Sequence, residues 1–203
     1  MFKTIDKGIL FMLASALISA LNGAITKILS TDMSALEIVF FRNLIGVGII
    51  LYTLKHTPPT LVGGKINLLF TRGLFGFIAM ILFFYTISVI PLGEAITLNK
   101  TSPLFVAILA YYLLGEHLDV RVAFALFIGF LGVVFITQPF DMSSVSFEHI
   151  LGVLGGFFAA AAYTTIKKIK NIYDSRVIVL SFVSVGSLLP LLLFLIAPFI
   201  EVP

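Results

Sequence analysis

The sequence predicts an all-α fold, a polytopic helical membrane protein with seven transmembrane helices. Three observations carry that expectation. First, the 203-residue chain is 60% hydrophobic and only 11% charged, with a mean hydropathy of +1.15. A soluble domain carries about 25% charged residues, so this chain cannot clothe a water-facing surface. A cytosolic enzyme or nucleic-acid-binding module is thereby excluded. Second, the apolar stretches are continuous, whereas the strands of an outer-membrane barrel alternate apolar and polar residues. Third, seven such stretches occur, at 8–28, 38–54, 68–87, 92–114, 122–136, 150–166 and 177–200. Most approach the roughly 20 residues that a crossing helix needs.

Taken in order, each run has its own signature. Run 1 follows Lys3 and Lys7 and so resembles a signal peptide, but it is too long for a cleaved apolar region and reads as a signal anchor. Run 2 opens near Ala35 or Glu37 and carries Arg42, and run 3 carries Arg72 near its start. Run 4 holds Lys100 and Pro103, run 5 follows Arg121, and run 6 ends on Lys167, Lys168 and Lys170. Run 7 follows Arg176 and closes the set. The connections are short, and none could hold a second folded domain.

Basic residues stay on the cytoplasmic side of a membrane, and their distribution orients the runs. With the N-terminus inside, Lys3, Lys7, Lys55, Lys65, Arg72, Arg121, Lys167, Lys168, Lys170 and Arg176 all fall at the inner side. The loops after runs 1, 3 and 5 carry no lysine or arginine. The expected location is the cell (inner) membrane, multi-pass, with a cytoplasmic N-terminus and the bilayer as the first partner.

The remaining cations are candidates for function. Lys27, at the outer end of run 1, reads as snorkelling to the headgroups, and Arg72 reads the same way at the inner end of run 3. Arg42 lies about 7–8 Å into run 2, and Lys100 on the order of 12 Å into run 4, at the helical rise. A cation at such depth costs roughly 2.5–3.5 kcal/mol unless it faces a polar cavity or a partner. Snorkelling and ion pairing are the plainer explanations, yet together the two would make the outer half of a bundle basic.

Run 4 is the richest in chemistry. Pro103 has no backbone N–H, so the Asn99 carbonyl loses its helical partner. It sits beside Lys100, Thr101 and Ser102. In hydrocarbon such a group must be satisfied by protein, water or ligand, and broken helices are where carriers place solutes. The plainer reading is a bent helix whose hydroxyls bond back to its own backbone. Glu94 either pairs with Lys100 or Arg42 or faces outside water. Asn22, Asn43, Tyr85 and Tyr163 are weaker cavity candidates, equally suited to interhelical bonding or an interfacial aromatic belt.

Other chemistries lack support. The chain has no cysteine. His56, His117 and His149 fall in loops without an H-E-x-x-H pattern, and Gly63-Gly64-Lys65-Ile66 lacks the rest of a phosphate loop. No catalytic residue, metal, cofactor or nucleic-acid partner is expected.

An internal repeat is visible at a shift of 141. Ser15, Ser19 and Gly23 then meet Gly156, Ala160 and Thr164, small residues at helical spacing. Two small-residue packing faces can also be slid into register without common origin. A real repeat has a five-helix unit, and an odd unit inverts the second copy, as in alternating-access carriers.

A longer ordered set of residues adds to this. It runs Phe41-Arg42-Asn43, Phe84-Tyr85, Pro91-Leu92 with Ala95, Pro103, Leu114-Gly115-Glu116, and Gly129 with Gly132. It resembles the EamA domain of the drug/metabolite transporter superfamily, over about residues 8–139, with 148–200 as a partial second copy. The resemblance implies two domains, a five-helix repeat at 1–139 and part of its inverted copy at 148–203. It implies alternating access, with Arg42, Asn99, Lys100 and Pro103 in or near a central cavity. Asn43, Glu94, Thr101, Ser102 and Tyr85 complete the expected solute-binding set, and Gly115 and Glu116 form an inner-side motif.

The expected function is secondary transport of a small organic metabolite, amino-acid-like or anionic. The alternatives are a non-transporting or incomplete membrane subunit and, less favoured, a membrane-embedded enzyme. The second copy stops after two helices, so completion by further C-terminal helices, a partner chain or a homo-oligomer is also expected.

Overall fold

The computed structural model describes residues 7–61, 63–115, 119–137 and 147–196. Among them run eight helices: α1 (Lys7–Leu29), α2 (Ala35–His56), α3 (Ile66–Val89), α4 (Leu92–Asn99), α5 (Ser102–Leu114), α6 (Val120–Thr137), α7 (Phe147–Ile169) and α8 (Ser175–Ile196). Helices α4 and α5 together make one passage, so the seven expected passages are present. Helices α1, α2, α3, α7 and α8 are each long and apolar enough to cross a bilayer.

Helix ends follow local chemistry. Ser34 opens α2 with a capping box: its Oγ accepts from the Glu37 N–H at 3.3 Å, while its own N–H donates to Glu37 Oε2 at 2.8 Å. Gly115 closes α5 in the left-handed region, φ 66°, where glycine alone carries no Cβ penalty. Glu116, its neighbour in the motif, lies outside the described residues.

The fourth passage breaks rather than merely bends. Thr101 N–H reaches back only three residues, to Leu98 O at 3.1 Å, and Thr101 Oγ1 donates to the same carbonyl at 2.6 Å. The next helix then starts from the Thr101 carbonyl, which accepts from Leu104 N and Phe105 N. Pro103 sits in the first turn of α5, where its missing N–H costs least.

Long-range polar contacts fix which loops share an end. At one end, Lys27 Nζ donates to Ile87 O at 2.6 Å, Ile90 O at 3.1 Å and Ser88 O at 3.4 Å. Lys27 is therefore not snorkelling. A cation on the last carbonyls of a helix answers both their missing partners and the helix dipole. Glu94 Oε2 meets His149 Nε2 there at 3.2 Å, joining α4 to the first turn of α7. At the opposite end, Asp174 N–H donates to Leu61 O at 3.0 Å and Arg176 Nη1 to Thr57 O at 2.8 Å. Arg176 also grips Asp174 through Nη2 and Nε at 2.8 and 3.2 Å. Those hydrogen bonds hold the Asp174 carboxyl below its ordinary value of 3.8.

Between the ends, α3 lies along α7 and α8, α2 along α8, and α4 and α5 against α7. One apolar cluster gathers Ile38, Val39, Phe84, Ile87 and Leu98 near the Lys27 end. A second joins Ile169, Tyr173 and Ile178 at the other. Small residues set the close crossings, as membrane helix packing requires. A Cβ on Gly156 would strike Thr101 Oγ1, and one on Gly186 would strike the Asn43 amide.

The α1–α2 and α7–α8 junctions are built alike, at an offset of 140 (Leu29 to Ile169, Ala35 to Ser175). In the first, Asp32 N and Met33 N both donate to Leu29 O; in the second, Ile172 N and Tyr173 N both donate to Ile169 O. Ile38 N to Ser34 O likewise matches Ile178 N to Asp174 O. Helix ends thus set the register at 140 rather than 141. Repeating small residues on smooth helix faces could not distinguish the two.

The Lys27 clamp yields a measurable expectation. Lys27→Met should destabilise the chain by about 1–2 kcal/mol, because it strips several carbonyls of a charged donor. Thermal unfolding in detergent should show Tm lowered by several degrees.

Candidate functional site

A cavity of about 700 Å³ lies where α1 meets α2, α3, α4, α7 and α8. Its floor of small and weakly polar groups comes from Ser15, Ser19, Asn22 and Gly23 of α1. Helix α3 adds Arg72, Gly76, Met80 and Phe84, recurring every four residues on one face. Arg42 enters from α2, Asn99 and Lys100 from the end of α4, Tyr163 from α7 and Phe182 from α8.

The break in the fourth passage is what presents Lys100. It caps α4 at φ −71° and ψ 0°, so its ammonium stands at a helix C-terminus, the favourable pole for a cation. Arg42 reaches across to α3, with Nη1 3.1 Å from Met80 Sδ and Cζ 5.6 Å from the Phe84 ring centroid. A thioether and a phenyl face stabilise a guanidinium but neutralise nothing. Among the described residues, no carboxylate lies within ion-pair distance of Arg42, Arg72 or Lys100. The site is a cationic chamber with aromatic and small apolar walls.

Of the expected set, Arg42, Asn99 and Lys100 line this chamber together. The others lie elsewhere. Asn43 is 1% exposed, and its amide donates to Val39 O at 2.8 Å and Gly186 O at 3.4 Å, tying α2 to α8. Thr101 is turned into the α7 contact, bonded to Leu98 O, and Ser102 is buried beside it. Glu94 is joined to His149, and Tyr85 is partly exposed outside the cavity lining. The hydroxyls and amides in these segments answer backbone needs first.

Arg72 is the residue that sequence reasoning missed. Read as snorkelling, it instead turns inward, with Cζ 4.9 Å from the Phe182 ring centroid. Its Nε and Nη1 are buried without an acceptor. Its head occupies the space beside Gly76, where a Cβ would collide with Nη1 and the Phe182 ring. The available signal was the pair Arg72 and Gly76, four residues apart on one helix face.

The lining also follows the 140-residue register. Ser19 and Ala159, Asn22 and Ala162, Gly23 and Tyr163, and Arg42 and Phe182 are matched positions, and every one of them lines the chamber. Each structural hairpin therefore contributes the same face to a shared space.

The sequence is similar to proteins named as transporters. The model of the EamA-like transporter family matches residues 6–138. The chain is 34% identical over 180 residues to the Pseudopaline exporter CntI of Pseudomonas aeruginosa, covering 89% of this chain and 63% of the exporter. It is 32% identical over 206 residues to an uncharacterized transporter of Helicobacter pylori, covering 99% of this chain and 69% of that protein. It is 29% identical over 138 residues to the S-adenosylmethionine uptake transporter of Rickettsia bellii, covering 68% of this chain and 47% of the transporter. The chain thus spans under two thirds of the exporter's length. No solved structure matches.

Because the chain contains no cysteine, single substitutions report access cleanly. A charged, membrane-impermeant thiol reagent should modify Ser19→Cys, Asn99→Cys and Lys100→Cys from the water-filled side. It should modify Asn43→Cys and Thr101→Cys at least about ten-fold more slowly, since thiol reactivity follows exposure.

Proposed function

Because the chain belongs to the EamA-like transporter family, a family of transporters and not enzymes, we propose that it moves a small organic solute bearing a carboxylate or phosphate across a membrane by alternating access. The observation that carries this reading is the set of cations in the chamber, which no acidic side chain among the described residues neutralises. Charges at that depth each cost roughly 2.5–3.5 kcal/mol without a polar partner. An anionic solute supplies one.

Arg42 and Lys100 are the anchoring residues in this account, Asn99 orients the solute through its amide, and Asn22 and Tyr163 complete the polar lining. Alternation is supported by the matched hairpins: related elements that each offer one face to a shared cavity can rock about it while the site stays fixed. In this reading residues 1–139 are a first five-helix repeat and 148–203 a partial second, inverted repeat. The basic residues of the loops at the Arg176 end support a cytoplasmic placement of that end and of the N-terminus, in the cell (inner) membrane.

Helix α1 gives a reason to consider a partner. It leaves most of its apolar surface uncovered by protein: Phe11, Leu17, Ile18 and Ile28 are 72%, 64%, 66% and 69% exposed. In the 140-residue register, the element that would cover α1 is the second-copy counterpart of α3, as α3 covers α7. Either further residues of the same polypeptide or a second chain would supply it.

Flux in proteoliposomes made with the full-length polypeptide tests the reading. Arg42→Ala and Lys100→Ala should each lower initial transport of a competing organic anion by about 10–100-fold, the loss of a desolvated charged contact. Inserted variants that transport at the parent rate would remove the site assignment.

A further inference from the structure

Arg72 carries chemistry that the transport reading does not use. Its guanidinium is stacked on Phe182, beside Gly76, and Tyr163 of α7 lines the same cavity. Its Nε and Nη1 are buried with no acceptor among the described residues, which leaves Nη2 to face the chamber that Arg72 lines together with Arg42. The chamber therefore holds two guanidiniums, each backed by a phenyl face and neither paired with an acid among the described residues. Gly76 and Met80 mark their positions along α3. These residues are one helical turn apart, so the two heads stand at levels separated by about 6 Å along the helix, plus the width of the cavity.

We propose that Arg72, with Tyr163 and Phe182, forms a second anion subsite at the α3 N-terminal end of the chamber, and that the solute carries two carboxylates a few carbons apart, one for Arg42 and one for Arg72. The inference rests on the transport reading and narrows its solute class. A single acid group satisfies one guanidinium and leaves the other without a counter-charge. A diacid satisfies both, and the apolar walls between them suit the intervening methylenes. Arginine fits the role because its charge is permanent, so the one nitrogen not buried, Nη2, can donate a charge-assisted hydrogen bond to a carboxylate. Gly76 fits it too, since any side chain there would take the space of the Arg72 head.

The test uses the full-length polypeptide in lipid nanodiscs, with glutarate and valerate as probes, a diacid and a monoacid of equal carbon number. Binding of each is measured by calorimetry. The parent protein should prefer glutarate by at least about ten-fold, and Arg72→Gln should reduce that preference to about three-fold or less. Arg72→Lys, which keeps the charge, should retain most of it. Arg42→Gln should weaken both acids. Because the readout is a ratio within one preparation, partial misfolding of a variant does not mimic it. A parent protein that binds both acids equally, or a preference unchanged in Arg72→Gln, overturns the second subsite and leaves the transport reading standing. A parent protein that binds neither acid nor inorganic phosphate overturns both.

Discussion

A charge carried into hydrocarbon must be met by protein, water or solute, and the rest of this structure is arranged around how that demand is answered. Lys27 is answered by backbone: it takes the last carbonyls of α3 and so joins the first passage to the third. Arg176 is answered twice, by Asp174 and by the end of α2. Among the described residues, Arg42, Arg72 and Lys100 meet sulfur, aromatic faces and open volume. The first group holds the bundle together at its two ends. The second group lines the chamber.

The break in the fourth passage links the two. A continuous helix through 92–114 would satisfy its own backbone and could carry Lys100 in any direction. Pro103 removes one donor, Thr101 closes a tighter turn, and Gly156 lets α7 approach that turn closely. Lys100 is then left at a helix end, where the dipole favours it and the chamber receives it. Packing at one helix crossing is thereby coupled to the electrostatics of the proposed site.

Much of the fold was legible in the residues, because a bilayer imposes length and hydropathy on every crossing element. The seven apolar runs became seven passages, and Pro103 marked the break within about one turn. What lay beyond reach depended on distance in sequence. Lys27 finds its acceptors 60 or more residues away, so its depth alone suggested the headgroups. Asn43 looked like a neighbour of Arg42, yet consecutive helical residues face different directions, and it bonds to α8 instead. The shift of 141 suggested by small residues lies one residue from the 140 at which the ends of α1–α2 and α7–α8 match, since small residues align almost as well at either shift. Arg72 was misjudged because position in a helix indicates depth, while the direction of a side chain depends on what space Gly76 and Phe182 leave for it.

The central claim is that the chamber cations serve a solute and not the fold. Proteins hold such groups at a cost in stability, so removing them should separate the two roles. The decisive measurement is the thermal stability of an Arg42→Gln, Lys100→Gln double variant of the full-length polypeptide, with and without a saturating organic anion. The account predicts that the variant is at least as stable as the parent without the anion and gains nothing from it, while the parent is stabilised. A variant that unfolds several degrees lower and still responds to the anion would contradict it.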